Sequence, residues 1–146
     1  MALAGCTSQK DQFKELATKL AEKERYMLLV NEADSALQHS EALREGYLTT
    51  MSQKSEIKVK NIELVGENAA TAEVYIELPS LIVRKKLLGI GSRVDTTRTR
   101  RFNFSEAMIL VKKEMGFKPE ELKEQILKTY HFKKTSSGWT ILKDSN

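Results

Sequence analysis

The chain has 146 residues, 40% of them hydrophobic and 30% charged, and a formal net charge of +4. This composition fits a soluble globular protein and excludes wholesale disorder. The single cysteine and two histidines exclude an internal disulfide and a cysteine- or histidine-rich metal site, so we expect no metal and no cofactor. No run reaches the roughly 18 apolar residues of a membrane-spanning helix, so membrane contact is expected only through a lipid or a surface patch.

The run Leu3-Ala4-Gly5-Cys6 contains the only cysteine and is followed by the polar run Thr7-Ser8-Gln9-Lys10. The small residues before the cysteine fit a protease subsite, and the thiol would accept a diacylglyceryl group. The run resembles the lipobox of bacterial lipoproteins, in which a signal peptidase cuts just before the cysteine. This resemblance implies that residues 1–9 are a signal-peptide remnant and a tether, and that Cys6 is the lipidated, palmitate-bearing residue of the mature protein.

The part of the signal peptide before this run is short. A secretory signal has a basic start and an apolar stretch of roughly 7 to 15 residues, whereas only Met1 and Ala2 precede Leu3. We therefore interpret the run as the end of a truncated signal peptide; the alternative is a cytosolic protein with an incidental cysteine. An aspartate directly after the lipidated cysteine would resemble an inner-membrane retention signal, but position 7 is a threonine. We expect a lipid-anchored protein of the bacterial cell envelope, on the periplasmic side of the outer membrane.

The segment from 8 to about 52 lacks proline and shows a helical period, which predicts two helices. We expect a break at Val30-Asn31, with Asn31 capping the second helix. The apolar stripe of the first helix comprises Phe13, Leu16, Ala17 and Leu20, and that of the second comprises Ala33, Ala36, Leu37, Leu43, Tyr47 and Met51.

Two β-hairpins are predicted where the period changes to two residues. The first spans about 57–78, and its second strand alternates clearly. The second begins with a strand over 128–134, turns at Ser136-Ser137-Gly138 and returns through Trp139 and Ile141. The buried face of the first hairpin's second strand is expected to comprise Ala70, Ala72, Val74, Ile76 and Leu78. We expect residues 10–146 to form a single α+β domain.

Seven basic residues and one acid lie between positions 84 and 101. Pro79 ends the preceding strand, and Gly89-x-Gly91 is typical of a hairpin tip, so we predict a long basic hairpin or insertion around 80–101. A long strand is expected from Val94 to Val111, with a helix capped by Ser105 as the alternative over 105–115.

The basic stretch predicts a contact with anionic lipid or with a protein partner. Nucleic acid is not expected, because no aromatic side chains are interleaved with the basic ones before Phe102. The possible membrane or partner contact comprises Arg84, Lys85, Lys86, Arg93, Arg98, Arg100 and Arg101.

Two N-terminal helices, a strongly bent antiparallel sheet and the closing run Tyr130-His131-Phe132-Lys133-Lys134 … Gly138-Trp139-Thr140-Ile141-Leu142 resemble the nuclear transport factor 2-like (cystatin-like) α+β family. The resemblance implies helices packed on a cone-like sheet. Enzymes of that superfamily use acidic or histidine residues inside the cone. His131 lies between two residues with core parity, so we expect it to face outward, and we expect no catalytic residue.

These patterns together favour a non-enzymatic envelope lipoprotein whose α+β domain binds a protein partner or a small ligand at the membrane surface. The alternative is a soluble enzyme with a pocket inside the cone. Such an enzyme would require a buried titratable group with a strongly shifted pKa.

Overall fold

The computed structural model describes residues 2–97, 103–116 and 122–142, with side chains described between 9 and 94 in the first range. The strands form an antiparallel sheet in the order β1-β2-β3-β4. This confirms the predicted α+β class. In chain order, the elements are α1 (Ala2–Ala36), α2 (Glu41–Gln53), β1 (Glu56–Val65), β2 (Ala69–Pro79), α3 (Leu81–Thr97), α4 (Phe104–Met115), β3 (Lys123–Thr135) and β4 (Gly138–Leu142).

The chain divides into two compact units, each assembled from separate segments. Unit 1 comprises residues 1–23, 57–76 and 126–146, and unit 2 comprises residues 24–56 and 77–125. The elements α1, β2 and β3 contribute residues to both units, because the boundaries fall within them.

Strands β2 and β3 bury residues at alternate positions, as the two-residue alternation predicts. Along β2 all five predicted residues are buried together with Pro79 at its end, and Tyr130 and Phe132 are buried at alternate positions of β3. Phe13 of α1 contacts Phe132 at a ring-centroid distance of 5.3 Å and Trp139 of β4 at 4.8 Å, edge to face. Such aromatic pairs stabilise a core beyond the area they bury.

The closing hairpin is confirmed, and its first strand begins earlier than predicted, at Lys123. Its register pairs Phe132 with Ile141 and Lys134 with Trp139. Gly138 follows the turn with φ 120°, a backbone conformation that side-chain-bearing residues rarely adopt. His131 is exposed, as its position between two core residues predicts.

In unit 2 the predicted helix break at Val30-Asn31 is wrong, since α1 continues to Ala36. Leu29, Ala33 and Leu37 are fully buried at four-residue intervals, so a continuous face extends across the expected break. Ser40, and not Asn31, caps the second helix: its hydroxyl accepts the N–H of Leu43 at 3.2 Å.

Of the predicted basic hairpin or insertion around 80–101, the hairpin is wrong over the described residues, because residues 81–97 form helix α3. Pro79 ends β2 as expected, but Ser80 then starts a helix, its hydroxyl accepting the N–H of Val83 at 3.4 Å. The residues buried along α3 recur with a helical period: Val83, Arg84, Leu87, Leu88 and Gly91.

Gly91 allows close packing in unit 2 and does not form a hairpin tip. A Cβ at this position would lie 2.9 Å from Leu37 Cδ2 and 2.9 Å from Phe104 Cζ. A Cβ at Gly89 on the same helix would meet no atom within 4 Å. Of these two glycines, only Gly91 lacks room for a side chain.

The predicted strand from Val94 to Val111 is wrong as well over its described residues, 94–97 and 103–111, and the alternative helix is present as α4. Its cap is Asn103, whose side chain accepts the N–H of Ser105 at 2.9 Å. Gly116 ends the helix in the left-handed conformation, with φ 65°. α4 packs against α2 and α3, and it buries Phe104, Ala107, Met108 and Val111.

Candidate functional site

The structure divides the predicted contact residues into three groups. Arg84 is buried in unit 2, while Lys85, Lys86 and Arg93 are exposed on α3. Arg98, Arg100 and Arg101 lie outside the described residues. The backbone at Cys6 belongs to α1, and its side chain also lies outside the described part.

The exposed residues of α3 form a continuous stripe, which we call the α3 outer face. It comprises Leu81, Ile82, Lys85, Lys86, Gly89 and Arg93. The last four of these residues lie three, four, seven and eleven positions after Ile82, and this spacing places them with Ile82 on one side of the helix. Leu81 is 42% exposed and Ile82 57% exposed. The face therefore combines aliphatic surface at its N-terminal end with three cations, and no acid lies among these six residues.

Arg84 differs from the expected surface contact, because its side chain is buried and faces the interior of unit 2. Its Nε donates to both carboxylate oxygens of Glu32, at 3.0 and 3.1 Å. One terminal nitrogen donates to the carbonyl of Pro79 at 2.6 Å and also to Glu124. The arginine side chain is 4% exposed, compared with 16% for Glu32 and 35% for Glu124.

Tyr47 completes this group, which we call the Arg84 cluster: Arg84, Glu32, Glu124 and Tyr47. The tyrosine hydroxyl donates to Glu32 at 2.9 Å, and its ring packs edge to face on Phe104 at 5.6 Å. The cluster thus joins α1, α2, α3 and the start of β3 within unit 2. A buried charge is tolerated only when it is paired and hydrogen-bonded, and here these contacts satisfy it.

The environment of the cluster shifts two pKa values. Burial raises the pKa of Tyr47 far above its usual range, and the negative charge of Glu32 and the hydrogen bond to it act in the same direction. Burial opposes the charge of Arg84, but hydrogen bonds and charges from Glu124 and Glu32 outweigh it and raise the arginine's pKa. Both groups therefore keep their protons at neutral pH.

Tyr47 has the buried, strongly shifted pKa that the enzyme alternative requires. However, the tyrosine is 0% exposed, and its raised pKa means that the hydroxyl holds its proton. The hydroxyl already donates to Glu32. We therefore interpret Tyr47 as a structural hydrogen-bond donor.

Unit 2 also contains an open cleft of about 370 Å³, which we call the unit 2 cleft. Apolar atoms of Pro79, Met108 and Leu122 line it together with polar and charged side chains of both signs. Within it, Glu77 accepts hydrogen bonds from Gln125 at 3.0 Å and Lys123 at 3.4 Å. The polar and charged lining comprises Gln53, Lys54, Ser55, Glu56, Glu77, Lys112 and Lys123.

The described part of the chain offers neither a metal site nor a membrane-spanning helix. Within it, no three histidine, cysteine, aspartate or glutamate side chains converge as a metal site would require. None of its helices combines the length and the apolar character needed to cross a bilayer.

No protein-family model, curated protein or solved structure matches this chain. The lipoprotein and nuclear transport factor 2-like resemblances therefore rest on the sequence alone.

The sequence-based reasoning missed Glu32 and Glu124 as partners of Arg84, and it missed Tyr47 as a hydrogen-bond donor to Glu32. A signal for the buried arginine was present: Arg84 lies between Val83 and Leu87 in a helical stripe, and an arginine in such a position is rarely buried unpaired. Its partners lie 52 residues upstream and 40 downstream, and nothing local in the sequence identifies them.

Proposed function

We propose that this chain is a non-enzymatic, lipid-anchored protein of the bacterial envelope that binds a protein partner or a small ligand at the membrane surface. The observation that carries the proposal is the lipobox-like run Leu3-Ala4-Gly5-Cys6, which ends in the only cysteine of the chain. Two acyl chains or more on that cysteine would hold the protein firmly, whereas one would anchor it only marginally.

Two features of unit 2 support this proposal. The α3 outer face offers cations and aliphatic side chains to a surface, and the unit 2 cleft offers mixed polar groups to a small ligand. The finer fold belongs to the same proposal, with the two N-terminal helices packed on a bent sheet as in nuclear transport factor 2-like domains.

Lipidation is tested by labelling cells that express the full-length gene with radioactive palmitate. We expect label in the wild-type protein and none in the Cys6→Ser variant. Because the chain has no other cysteine, label that persists in the variant would show a different attachment and contradict the proposal. Absence of label in the wild type would also contradict it.

Sorting is tested separately by fractionating inner and outer membranes. The wild-type protein should be found with the outer membrane, and Thr7→Asp should move it to the inner membrane. A wild-type protein retained in the inner membrane would show that the proposed location is wrong.

A further inference from the structure

The α3 outer face differs from the other described helix surfaces of unit 2 in the composition of its exposed side chains. Its cations, Lys85, Lys86 and Arg93, follow the aliphatic pair Leu81 and Ile82 along one side of the helix. Among the described residues, neither Lys85 nor Lys86 has an ion-pair partner.

The neighbouring helix α4 provides an internal comparison. It also exposes aliphatic side chains, with Ile109 at 66% and Leu110 at 60%. However, Glu106 and Glu114 are exposed on the same side of α4 together with Lys113. Exposed aliphatic surface is thus present on both helices, whereas only the α3 outer face combines it with charge of a single sign.

That combination indicates the chemistry of the partner. An interfacial helix places aliphatic side chains at the boundary between headgroups and acyl chains, while its lysines and arginines contact anionic headgroups. Lysine stems can lie along the apolar surface while their ammonium groups reach the phosphates. A polyanion without an apolar layer would leave the side chains of Leu81 and Ile82 exposed to water.

We propose that the α3 outer face binds the anionic surface of a lipid bilayer, with Lys85, Lys86 and Arg93 on headgroups and with Leu81 and Ile82 entering the interface. The inference deepens the proposed function and rests on it for its setting, because an anchor at Cys6 would hold the chain at a membrane. The contact itself does not require the anchor.

The test uses the full chain with Cys6→Ser, which removes lipidation, and measures its sedimentation with vesicles. Vesicles of equal parts phosphatidylcholine and phosphatidylglycerol should bind the protein, and phosphatidylcholine vesicles should not. Lys85→Glu with Lys86→Glu should weaken binding by at least about 25-fold, as expected for two lysines near an anionic surface.

The matched control is Lys133→Glu with Lys134→Glu, which makes the same change in net charge at two adjacent exposed lysines of β3. The proposal requires that this control binds far better than the α3 variant. Equal loss in both variants would show that only net charge matters and would overturn the proposal. If the α3 variant were to melt at a lower temperature than the control, loss of wild-type binding at high salt would provide the electrostatic test instead.

The aliphatic part is tested by Ile82→Gln, with Ile109→Gln on α4 as its control. We expect weaker binding to the anionic vesicles only for Ile82→Gln. Failure of the wild-type chain to bind anionic vesicles would overturn the proposal and leave an acidic protein surface as the occupant of this face. Because all these proteins lack Cys6, a negative palmitate experiment and a negative vesicle experiment are independent outcomes.

Discussion

The guanidinium of Arg84 and the carboxylate of Glu32 meet at 3.0 and 3.1 Å inside unit 2, although 52 residues separate them in the chain. Both oxygens of the carboxylate are engaged by one nitrogen of the arginine. Glu32 also accepts a hydrogen bond from the hydroxyl of Tyr47. Its carboxylate therefore links α1, in which it lies, to α2 and α3.

Replacing the arginine should destabilise the protein, because two carboxylates would lose their counter-charge. We expect Arg84→Ala to lower the free energy of unfolding by about 3 kcal/mol, as for other broken buried ion pairs. Lys86→Ala, two residues along on the outer face, should change it by less than about 0.5 kcal/mol. Urea denaturation of both variants measures the difference, and equal stability would contradict the structural role of the cluster.

Tyr47 should make stability fall at alkaline pH. Its pKa is raised on folding, so its contribution is fully present below the usual tyrosine value of about 10. Above that pH the unfolded chain releases this proton while the folded chain retains it. Stability should then fall by about 1.4 kcal/mol for each further pH unit from this group alone.

The variant Tyr47→Phe isolates this effect from the other titrating groups. It keeps the ring on Phe104 but has no hydroxyl, so its stability should fall less steeply than that of the wild type above about pH 10. Urea denaturation at a series of pH values provides the comparison. Parallel curves for the two proteins would show that Tyr47 is not held in its protonated form by folding.

Gly91 should tolerate no side chain, whereas Gly89 should. Gly91→Ala places a methyl group 2.9 Å from atoms of Leu37 and Phe104, which should cost about 1 to 3 kcal/mol of stability. Gly89→Ala adds a methyl group in open space on the same helix and should stabilise it by up to about 1 kcal/mol. Thermal melting of the two variants should show shifts of opposite sign, and a shared sign would argue against this packing.

Phe13 should contribute to unit 1 through its ring contacts. Phe13→Leu keeps an apolar side chain but removes the ring pairs with Phe132 and Trp139. The loss of each pair should lower the free energy of unfolding by about 0.5 to 1.5 kcal/mol. Tyr26→Leu, on an exposed position of α1, is the control and should be close to neutral. Fluorescence of Trp139, the chain's single tryptophan, follows unfolding directly and should change its folded-state emission only in Phe13→Leu.

The sequence predicted β2 and the end of β3 well because one face of each of these strands is buried and the other is more exposed. Val74 and Ile76 alternate with partly exposed residues, and Tyr130 and Phe132 do the same in β3. In such a strand the alternation of apolar residues along the sequence matches the alternation of buried side chains in the structure.

The same reasoning failed over 81–97 and 103–115, because the contacts that determine the structure there are not local. The charges at Arg84, Lys85 and Lys86 suggested a contact with an outside surface, whereas Arg84 is paired to residues from α1 and β3. Gly91 looked like a turn residue, whereas it is the place where α3 leaves room for Leu37 and Phe104. No periodicity can distinguish these alternatives when the deciding partners lie tens of residues away.

The division of elements between the units has a consequence for synthesis. Unit 2 has all its residues once position 125 has left the ribosome, although it begins only at residue 24. Unit 1 includes residues 1–23, which are made before unit 2, but it still needs β4, which pairs with β3 and is made after position 125. The segment that contains Phe13 therefore cannot be enclosed until Phe132 and Trp139 have been made, and until then Phe13 lacks both of its aromatic partners.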